Sequence, residues 1–251
     1  LYSWNVNGLK AILRKNFSEF IADYDPEVLC LQETKAQDAE AQRLLSDFTA
    51  YYLYHFGAER KGYSGTDILT QRAPKDVCYG IGQASYDEEG RVITVVFPDY
   101  YLVNAYVPNA GSGLKRLDFR EQWDQDFRNY LNRLAAQKPV VVTGDFNVAH
   151  EEIDIARPRQ NYNKSAGFTQ TEIDGFEAHL DQGLVDTFRS LYPDQEVYSY
   201  WSYRANARER NVGWRIDYFL VSQELWPKVK DAYMLNEVQG SDHCPVVLSL
   251  Y

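Results

Sequence analysis

Cysteine is scarce in this chain of 251 residues, and the three present, Cys30, Cys78 and Cys244, lie far apart. An odd, scattered set excludes a disulfide framework. Each sits in or beside an apolar, strand-like stretch, so buried free thiols in a reducing, intracellular compartment are expected. No run of about 18 apolar residues occurs, which excludes a membrane-spanning helix. Nor does the beginning read as a secretory signal, since Leu1–Val6 runs straight into Asn7-Gly8. Long flexible linkers and fixed-period repeats are also missing, so residues 1–251 are expected to form one domain. A chain of this length buries its own core without disulfide or metal staples. Basic residues are outnumbered, 26 Lys+Arg against 36 Asp+Glu, for a formal net charge of -10. Spread evenly, that balance would argue against a nucleic-acid partner. It is not even: Arg204, Arg208, Arg210 and Arg215 fall close together, with Glu209 the sole acid among them. An acidic body with a local basic stripe is compatible with phosphate binding.

Aromatic residues, by contrast, are abundant at 15%, with 20 Tyr and 5 Trp. So many hydroxyls are hard to satisfy in a core, which places many rings at the surface or in a cleft. Short apolar runs rich in Val, Ile, Tyr and Phe predict strands at Leu1–Val6, Glu27–Gln32, Ala50–Phe56, Gly65–Gln71, Val92–Phe97, Tyr101–Val107, Pro139–Gly144, Arg215–Val221 and Pro245–Tyr251. Helices are expected at Arg14–Tyr24, Asp38–Phe48, Leu114–Ala136 and Thr169–Gln182. The third is the clearest: Leu117, Trp123, Phe127, Tyr130, Leu131 and Leu134 recur at a period of about 3.6 residues. Strand–helix alternation with tight hairpins, as across Pro98-Asp99-Tyr100, predicts α/β layers: sheet packed on sheet, with helices outside.

Several apolar runs end in carboxylate, amide or imidazole groups. Leu1–Val6 carries Asn5 and leads to Asn7; Val28–Leu31 ends in Gln32-Glu33; Val140–Val142 ends in Thr143-Gly144-Asp145-Phe146-Asn147. Asp217 stands among Ile216 and Tyr218-Phe219-Leu220, and Ser241-Asp242-His243 precedes the last run. Singly, each has an ordinary reading: an Asx turn for Asn5, Asn7 or Asp145, a solvated strand end for Glu33, a satisfied structural histidine for His243. Asp217 is harder to dismiss, because a carboxylate among apolar neighbours is buried and needs a partner. Asp145 and Asn147 share one face of an extended segment while Phe146 points into the core. If the ends meet, they form an oxygen-rich pocket with one imidazole, suited to a hard divalent cation. The cysteine–histidine spacing of a structural zinc site is absent.

Taken together, these residues resemble the exonuclease III family of apurinic/apyrimidinic endonucleases. The motifs are Ser3–Leu9, Leu29–Lys35, Gly62–Gly65, Tyr106–Asn109, Gly144–His150, Asn211–Tyr218 and Gly240–Pro245, in the family's order over nearly the whole chain. The resemblance implies a four-layered α/β sandwich of the deoxyribonuclease I-like class, with two mixed sheets between helices. It implies hydrolysis of duplex DNA 5′ to an abasic site with Mg²⁺ or Mn²⁺, and in many members removal of 3′-blocking groups or 3′→5′ exonuclease activity. A monomer acting on duplex DNA is expected. By that similarity Glu33 is the main metal ligand, with Asn5 and Asn7 beside it and Asp242 near a second position. Some relatives carry Asp in place of Asn7. His243, paired with Asp217, faces a phosphate oxygen; Asp145 orients or deprotonates the attacking water; Asn147 holds the same water or the phosphoryl oxygens, and Tyr106 contacts the phosphate from the other side. Tyr200, Trp214 and Ile216 line a pocket for the flipped-out sugar. Lys35, Tyr63, Asn109, Lys115, Arg116, Arg204 and Asn206 are expected at the DNA backbone.

The sequence departs from the family pattern at Asp67, where relatives have a small residue, and at Ser165, where Asn is common. A buried Asp67 requires a cation, for which Lys61 and Arg72 are near in sequence, or it faces the cleft. Two rivals share part of the pattern. A sphingomyelinase-like or inositol-phosphate phosphatase has the Asn, Glu, Asp-x-Asn and Asp-His elements but is not expected to carry Asn211–Tyr218. A non-catalytic DNA-binding module would tolerate loss of Glu33, Asp145 or His243, and all three are present.

Overall fold

The computed structural model describes residues 1–251. Its strands are β1 (Tyr2–Asn5), β2 (Val28–Gln32), β3 (Tyr52–Phe56), β4 (Thr66–Thr70), β5 (Asp76–Tyr79), β6 (Val92–Val96), β7 (Tyr101–Tyr106), β8 (Val140–Asp145), β9 (Leu184–Asp186), β10 (Asp217–Ser222), β11 (Val229–Met234) and β12 (Val246–Leu250). Its helices are α1 (Leu9–Leu13), α2 (Phe17–Tyr24), α3 (Asp38–Leu44), α4 (Ala84–Asp87), α5 (Leu117–Ala135), α6 (Pro158–Asn161), α7 (Gln170–Asp181) and α8 (Thr187–Leu191).

The strands form two six-stranded sheets, ordered β11-β12-β1-β2-β4-β3 and β5-β6-β7-β8-β10-β9. Each is mixed: β1 and β2 run parallel, as do β7 and β8, and the other pairs are antiparallel. The parallel pairs are the ones joined by helical crossovers, α1–α2 in one sheet and α5 in the other, because parallel neighbours cannot be closed by a hairpin. Apolar residues fill three layers. Val28, Cys30, Ile68, Ile93, Val95, Val141, Val221 and Leu248 lie between the sheets. Trp123, Phe127 and Leu131 of α5 press Val103, Val140 and Val142 from one outer face. Leu9, Ile12, Phe17 and Phe20 cover Trp4, Leu29 and Leu31 on the other. The result is the four-layered α/β sandwich, helix–sheet–sheet–helix, of the deoxyribonuclease I-like class.

All nine expected strands are present, within a residue or two. β5, β9 and β11 were not expected. β5 and β11 are edge strands whose half-exposed faces weaken the apolar alternation, and β9 has three residues. The helix expected at Arg14–Tyr24 starts earlier and is broken at Arg14–Asn16 into α1 and α2. The helix at Asp38 stops at Leu44, and the one expected from Leu114 begins at Leu117, after a 3-10 turn at Ser112–Leu114. Thr169 caps α7 through a reciprocal bond pair with Glu172. Cys30 and Cys244 are buried as expected, but Cys78 is exposed, because edge strand β5 turns it outward.

Asp67 is fully buried, and its partner is neither Lys61 nor Arg72. Cross-strand pairing sets it opposite His55 of β3, and the imidazole Nδ1 bonds its carboxylate, with Asp38 3.5 Å from the other ring nitrogen. Burial opposes charging His55, yet the Asp67 carboxylate outweighs it and raises the imidazole above its ordinary range.

One glycine is dictated by close approach. Gly144 in β8 has φ +138, and a Cβ there would stand 1.8 Å from the Ala105 carbonyl oxygen of β7. Gly144→Ala is expected to cost about 2–5 kcal/mol through strain and clash, read as a lower urea midpoint; an unchanged midpoint would refute the packing argument. His179 is buried against Phe127 and Phe146, and burial lowers its pKa to about 3. The unfolded chain therefore binds a proton that the folded chain refuses, so this contribution to stability is present above about pH 6.5 and falls as pH drops. Below that pH, wild type should lose about 1.4 kcal/mol per unit relative to His179→Leu, measured by urea unfolding; parallel pH curves would count against it.

Candidate active site

Strand direction gathers the polar run-ends. Register pairs Asn5 with Gln32, Tyr106 with Asp145, and Asp145 with Asp217. The C-terminal ends of β1, β2, β7 and β8 thus meet the start of β10 at one end of the sandwich. Several residues there hold left-handed backbone: Asn7 (φ 48), Glu33 (φ 56), Lys35 (φ 54) and Asn147 (φ 50). Such strain persists only where the surroundings over-determine it, and it concentrates at functional sites.

Asn5 lies at the centre. Its buried Nδ2 donates to Glu33 Oε2 at 3.1 Å and to Asp145 Oδ2 at 2.9 Å, while its Oδ1 accepts from the Asn7 amide at 3.0 Å. Asn7 Nδ2 donates to Asp242 Oδ1 at 3.0 Å, and Lys35 Nζ reaches both Asn7 Oδ1 at 2.7 Å and Glu33 Oε1 at 2.9 Å. Burial disfavours the ionised Glu33, but Lys35 and Asn5 prevail and hold it below the usual carboxylate range. Across the site His243 Nδ1 bonds Asp217 Oδ2 at 2.8 Å, which Ser199 Oγ also meets at 2.7 Å. His243 Nε2 looks toward Asp145 Oδ2 at 3.8 Å. Burial works against charging this imidazole, but Asp217 and Asp145 outweigh it and hold its pKa well above the ordinary range. Burial raises the Asp145 carboxyl in turn. Asn147 donates from its backbone to Asp145 Oδ1 at 2.8 Å, and Asn109 Nδ2 bonds Asn147 Oδ1 at 2.8 Å. Phe146, between them, is buried in the core as its alternation requires.

Glu33, Asn109, Asp145, Asn147, Asp242 and His243 floor a cleft of about 270 Å³ whose walls include Tyr106, Ala166, Gly167, Tyr200, Trp214 and Ile216. That is below the usual range for a drug-sized ligand and suits a small fragment such as a sugar-phosphate. Burial and the neighbouring Glu33 and Asp145 push the Tyr106 phenol up, so it keeps its proton as a donor. The other expected residues lie further out. Tyr63 receives bonds from Arg91 at 3.1 Å and Arg116 at 2.8 Å, beside the cleft. Asn206 lines a neighbouring groove of about 860 Å³, which meets the cleft at Asp242. Arg204 faces a third hollow with Trp214, and Lys115 is exposed. Arg215 does not belong to a basic stripe: it is buried, and its guanidinium bonds Asp154 at 2.7 and 2.9 Å and Asp186 at 3.1 and 2.8 Å. Ser165 bonds Asn161 at 2.8 Å within its own loop. Sequence reasoning missed Arg91, Ser199 and Gly167. Glu172, which fixes the Gly167 loop, had a legible signal in the Thr169-x-x-Glu172 spacing.

A cation fits this set. Glu33, Asp145 and Asp242 line the cleft with the His243 imidazolium, while Asp217 behind His243 and Lys35 beside Glu33 add one charge of each sign, so negative charge is in excess. The donors on the Asn5 side are all oxygen or amide, with no thiol, as hard divalent ions require. Asp145, Asp217 and His243 also offer ligand atoms within 4.8 Å of one another, but the hydrogen bond between His243 and Asp217 occupies two of them.

The model of the endonuclease/exonuclease/phosphatase family matches residues 2–243. The chain belongs to that family. Within the endonuclease/exonuclease/phosphatase family its likeness lies with DNA-repair nucleases. It is 50% identical over 251 residues to the DNA repair nuclease APEX1 of Danio rerio, covering 99% of this chain and 81% of that protein. It is 48% identical over 250 residues to an exodeoxyribonuclease of Bacillus subtilis (strain 168), covering 99% and 98%. Among solved structures, the 3′ phosphatase NExo from Neisseria bound to product DNA hairpin superposes with TM-score 0.91 at 27% identity, over 100% of this chain and 98% of that one.

If Glu33 holds the cation, Glu33→Gln should weaken Mn²⁺ binding about tenfold or more in calorimetric titration. Asn7→Asp, which sets a second carboxylate beside Asp242, should strengthen it. Unchanged affinities in both variants would remove this set from the metal site.

Proposed function

We propose that the chain hydrolyses the phosphodiester 5′ to abasic sites in duplex DNA, and that the same site removes 3′-blocking groups and degrades strands 3′→5′. The observation that carries this reading is the cleft itself: a paired imidazolium and a buried carboxylate face each other under a wall of Tyr200, Trp214 and Ile216. We propose residues 1–251 as one catalytic domain, monomeric and intracellular, consistent with the unpaired thiols of Cys30 and Cys244.

The chemistry follows from charge. A phosphodiester anion repels a nucleophile, and its transition state gathers charge on the non-bridging oxygens. Asp145 accepts the proton of an in-line water as the water oxygen bonds to phosphorus, and the bond to the 3′ oxygen breaks on the opposite side; the departing 3′ alkoxide takes a proton from solvent water, leaving a 3′-hydroxyl and a 5′-phosphate. Asn5 and the Asn147 backbone amide fix the Asp145 carboxylate for this task. The His243 imidazolium, held by Asp217, donates to a non-bridging oxygen. Asn147, Asn109 and Tyr106 are donors around the same group. Glu33, with Asn5, Asn7 and Asp242, would hold Mg²⁺ or Mn²⁺, which supplies positive charge to the phosphate.

Recognition of the lesion follows from size. A cleft of about 270 Å³ walled by rings admits a baseless sugar and excludes a nucleotide, and flipping a residue with no base to unstack is cheaper. Lys35, Tyr63, Arg116, Arg204 and Asn206 flank it and would track the backbone, locally offsetting the net charge of -10.

The test is a duplex carrying one abasic analogue, with and without Mg²⁺, beside one with a recessed 3′ end. Metal-dependent nicking is expected; hydrolysis of lipid or inositol phosphates alone, or binding without nicking, would overturn the proposal. Asp145→Asn and His243→Asn should each lower kcat by about 100-fold or more with little change in DNA affinity. Trp214→Ala should cost affinity for abasic over intact duplex. Equal losses on both would remove the pocket from recognition.

A further inference from the structure

One buried cation near the cleft takes no part in the chemistry above. Arg120 of α5 is 1% exposed, and the bonds of its guanidinium are unusual in their targets. Nε donates to both oxygens of Asp124, one helical turn on, at 2.8 Å. The remaining donors reach main-chain carbonyls of two different loops: Nη1 to Pro108 at 3.0 Å and Asn147 at 3.3 Å, and Nη2 to Phe146 at 2.9 Å. Pro108 precedes Asn109 in the loop after β7, and Phe146-Asn147 is the loop after β8. These are the loops whose side chains meet in the cleft through the Asn109–Asn147 bond of 2.8 Å. One guanidinium thus ties the backs of both loops while the amide pair ties their fronts.

The tie extends to a third segment. Glu172 Oε1 lies 3.7 Å from Arg120 Nη1, and its Oε2 accepts from the Gly167 amide at 2.8 Å and the Thr169 hydroxyl at 2.8 Å. Gly167 stands in the cleft wall against Trp214, and its carbonyl accepts from the Ala149 amide at 2.9 Å. Burying a charge for stability alone gains little, since a paired apolar replacement does as well. Aiming three bonds at loop carbonyls, including that of Asn147 in its left-handed conformation, over-determines a backbone that would otherwise relax.

We propose that Arg120 is a positioning residue, which holds Asn147 and Asn109 in register with Asp145 for the phosphoryl group. The inference rests on the nuclease reading above and adds a residue to it. Arginine is required because its planar fork serves a carboxylate and three carbonyls together. Lysine keeps the charge but has a compact ammonium without that span.

The experiment compares wild type, Arg120→Lys, Asn147→Ala and the double variant on the abasic duplex. Arg120→Lys should lower kcat about 10- to 100-fold, as a displaced active-site group does, with KM for the duplex within about twofold. Because Arg120 acts through Asn147, the double variant should be little worse than Asn147→Ala alone. In ¹H–¹⁵N spectra of Arg120→Lys, the Asn147 side-chain amide pair, held in wild type by its bond to the Val107 carbonyl at 2.9 Å, should shift or broaden. Wild-type kcat, or losses that multiply in the double variant, would overturn the proposal. If Arg120→Lys does not fold, Asp124→Asn keeps the guanidinium but loosens its anchor; a several-fold fall in kcat with the same non-additivity supports the proposal, and wild-type kcat overturns it. A wild type that does not nick the duplex defeats the nuclease reading instead, and the amide spectra then still decide the role of Arg120.

Discussion

The structure depends on one side-chain amide that joins two carboxylates which would otherwise repel. Asn5 belongs to the first sheet, Glu33 follows β2 of the same sheet, and Asp145 ends β8 of the second. A fully buried amide donating to both sets the depth and spacing of the two acids before any ligand arrives. An Asn5 lost to a smaller or apolar residue would leave the buried Asp145 Oδ2 without its amide donor, at about 1–3 kcal/mol and more for a charged group, while the partly exposed Glu33 keeps Lys35. The sandwich core fixes the strands, and Asn5 converts that rigidity into the geometry of a site.

Order around this point is maintained from behind by buried ion pairs. Arg120 with Asp124 secures the loops after β7 and β8; Arg215 with Asp154 and Asp186 secures the segment that carries Trp214, Ile216 and Asp217. Both arginines lie outside the cleft, yet each is placed where a strand end must become a loop. Left-handed backbone is held at Asn147 by the Arg120 bond to its carbonyl, and at Asn7 and Glu33 by the bonds of the Asn7 amide to Asn5 Oδ1 and of the Gly8 amide to the Glu33 carbonyl. The cleft itself carries more negative than positive charge, which makes it a receptor for a cation first and for an anionic ester second.

Much of this was legible in particular residues. The alternation around Phe146 placed Asp145 and Asn147 on the polar side, and Asp217 among apolar neighbours implied the partner that proved to be His243. Resemblance named Tyr200, Trp214 and Ile216 for one pocket, and all three line it. Other features were out of reach. Arg215 reads as part of a basic stripe because charge runs say nothing of burial, and its acids lie 61 and 29 residues away in sequence. Asp67 called for a cation or a place facing the cleft; proximity in sequence offered Lys61 and Arg72, but the residue is buried away from the cleft and strand register supplied His55. Cys78 sat in a strand-like run, and only its edge position exposes it.

The layers and the chemical groups available follow from the order of residues, because apolar periodicity and the polar residues closing each run are local properties of the chain. It also carried enough motif order to imply the family. Tertiary structure alone decided which of those groups touch: that Asn5 bridges two sheets, that Asp145 lies 3.8 Å from His243, and that Arg120 faces backbone and not solvent. Such contacts join residues that are distant in the chain, and strand order and register, which set them, are cooperative outcomes of the whole core rather than of any one segment.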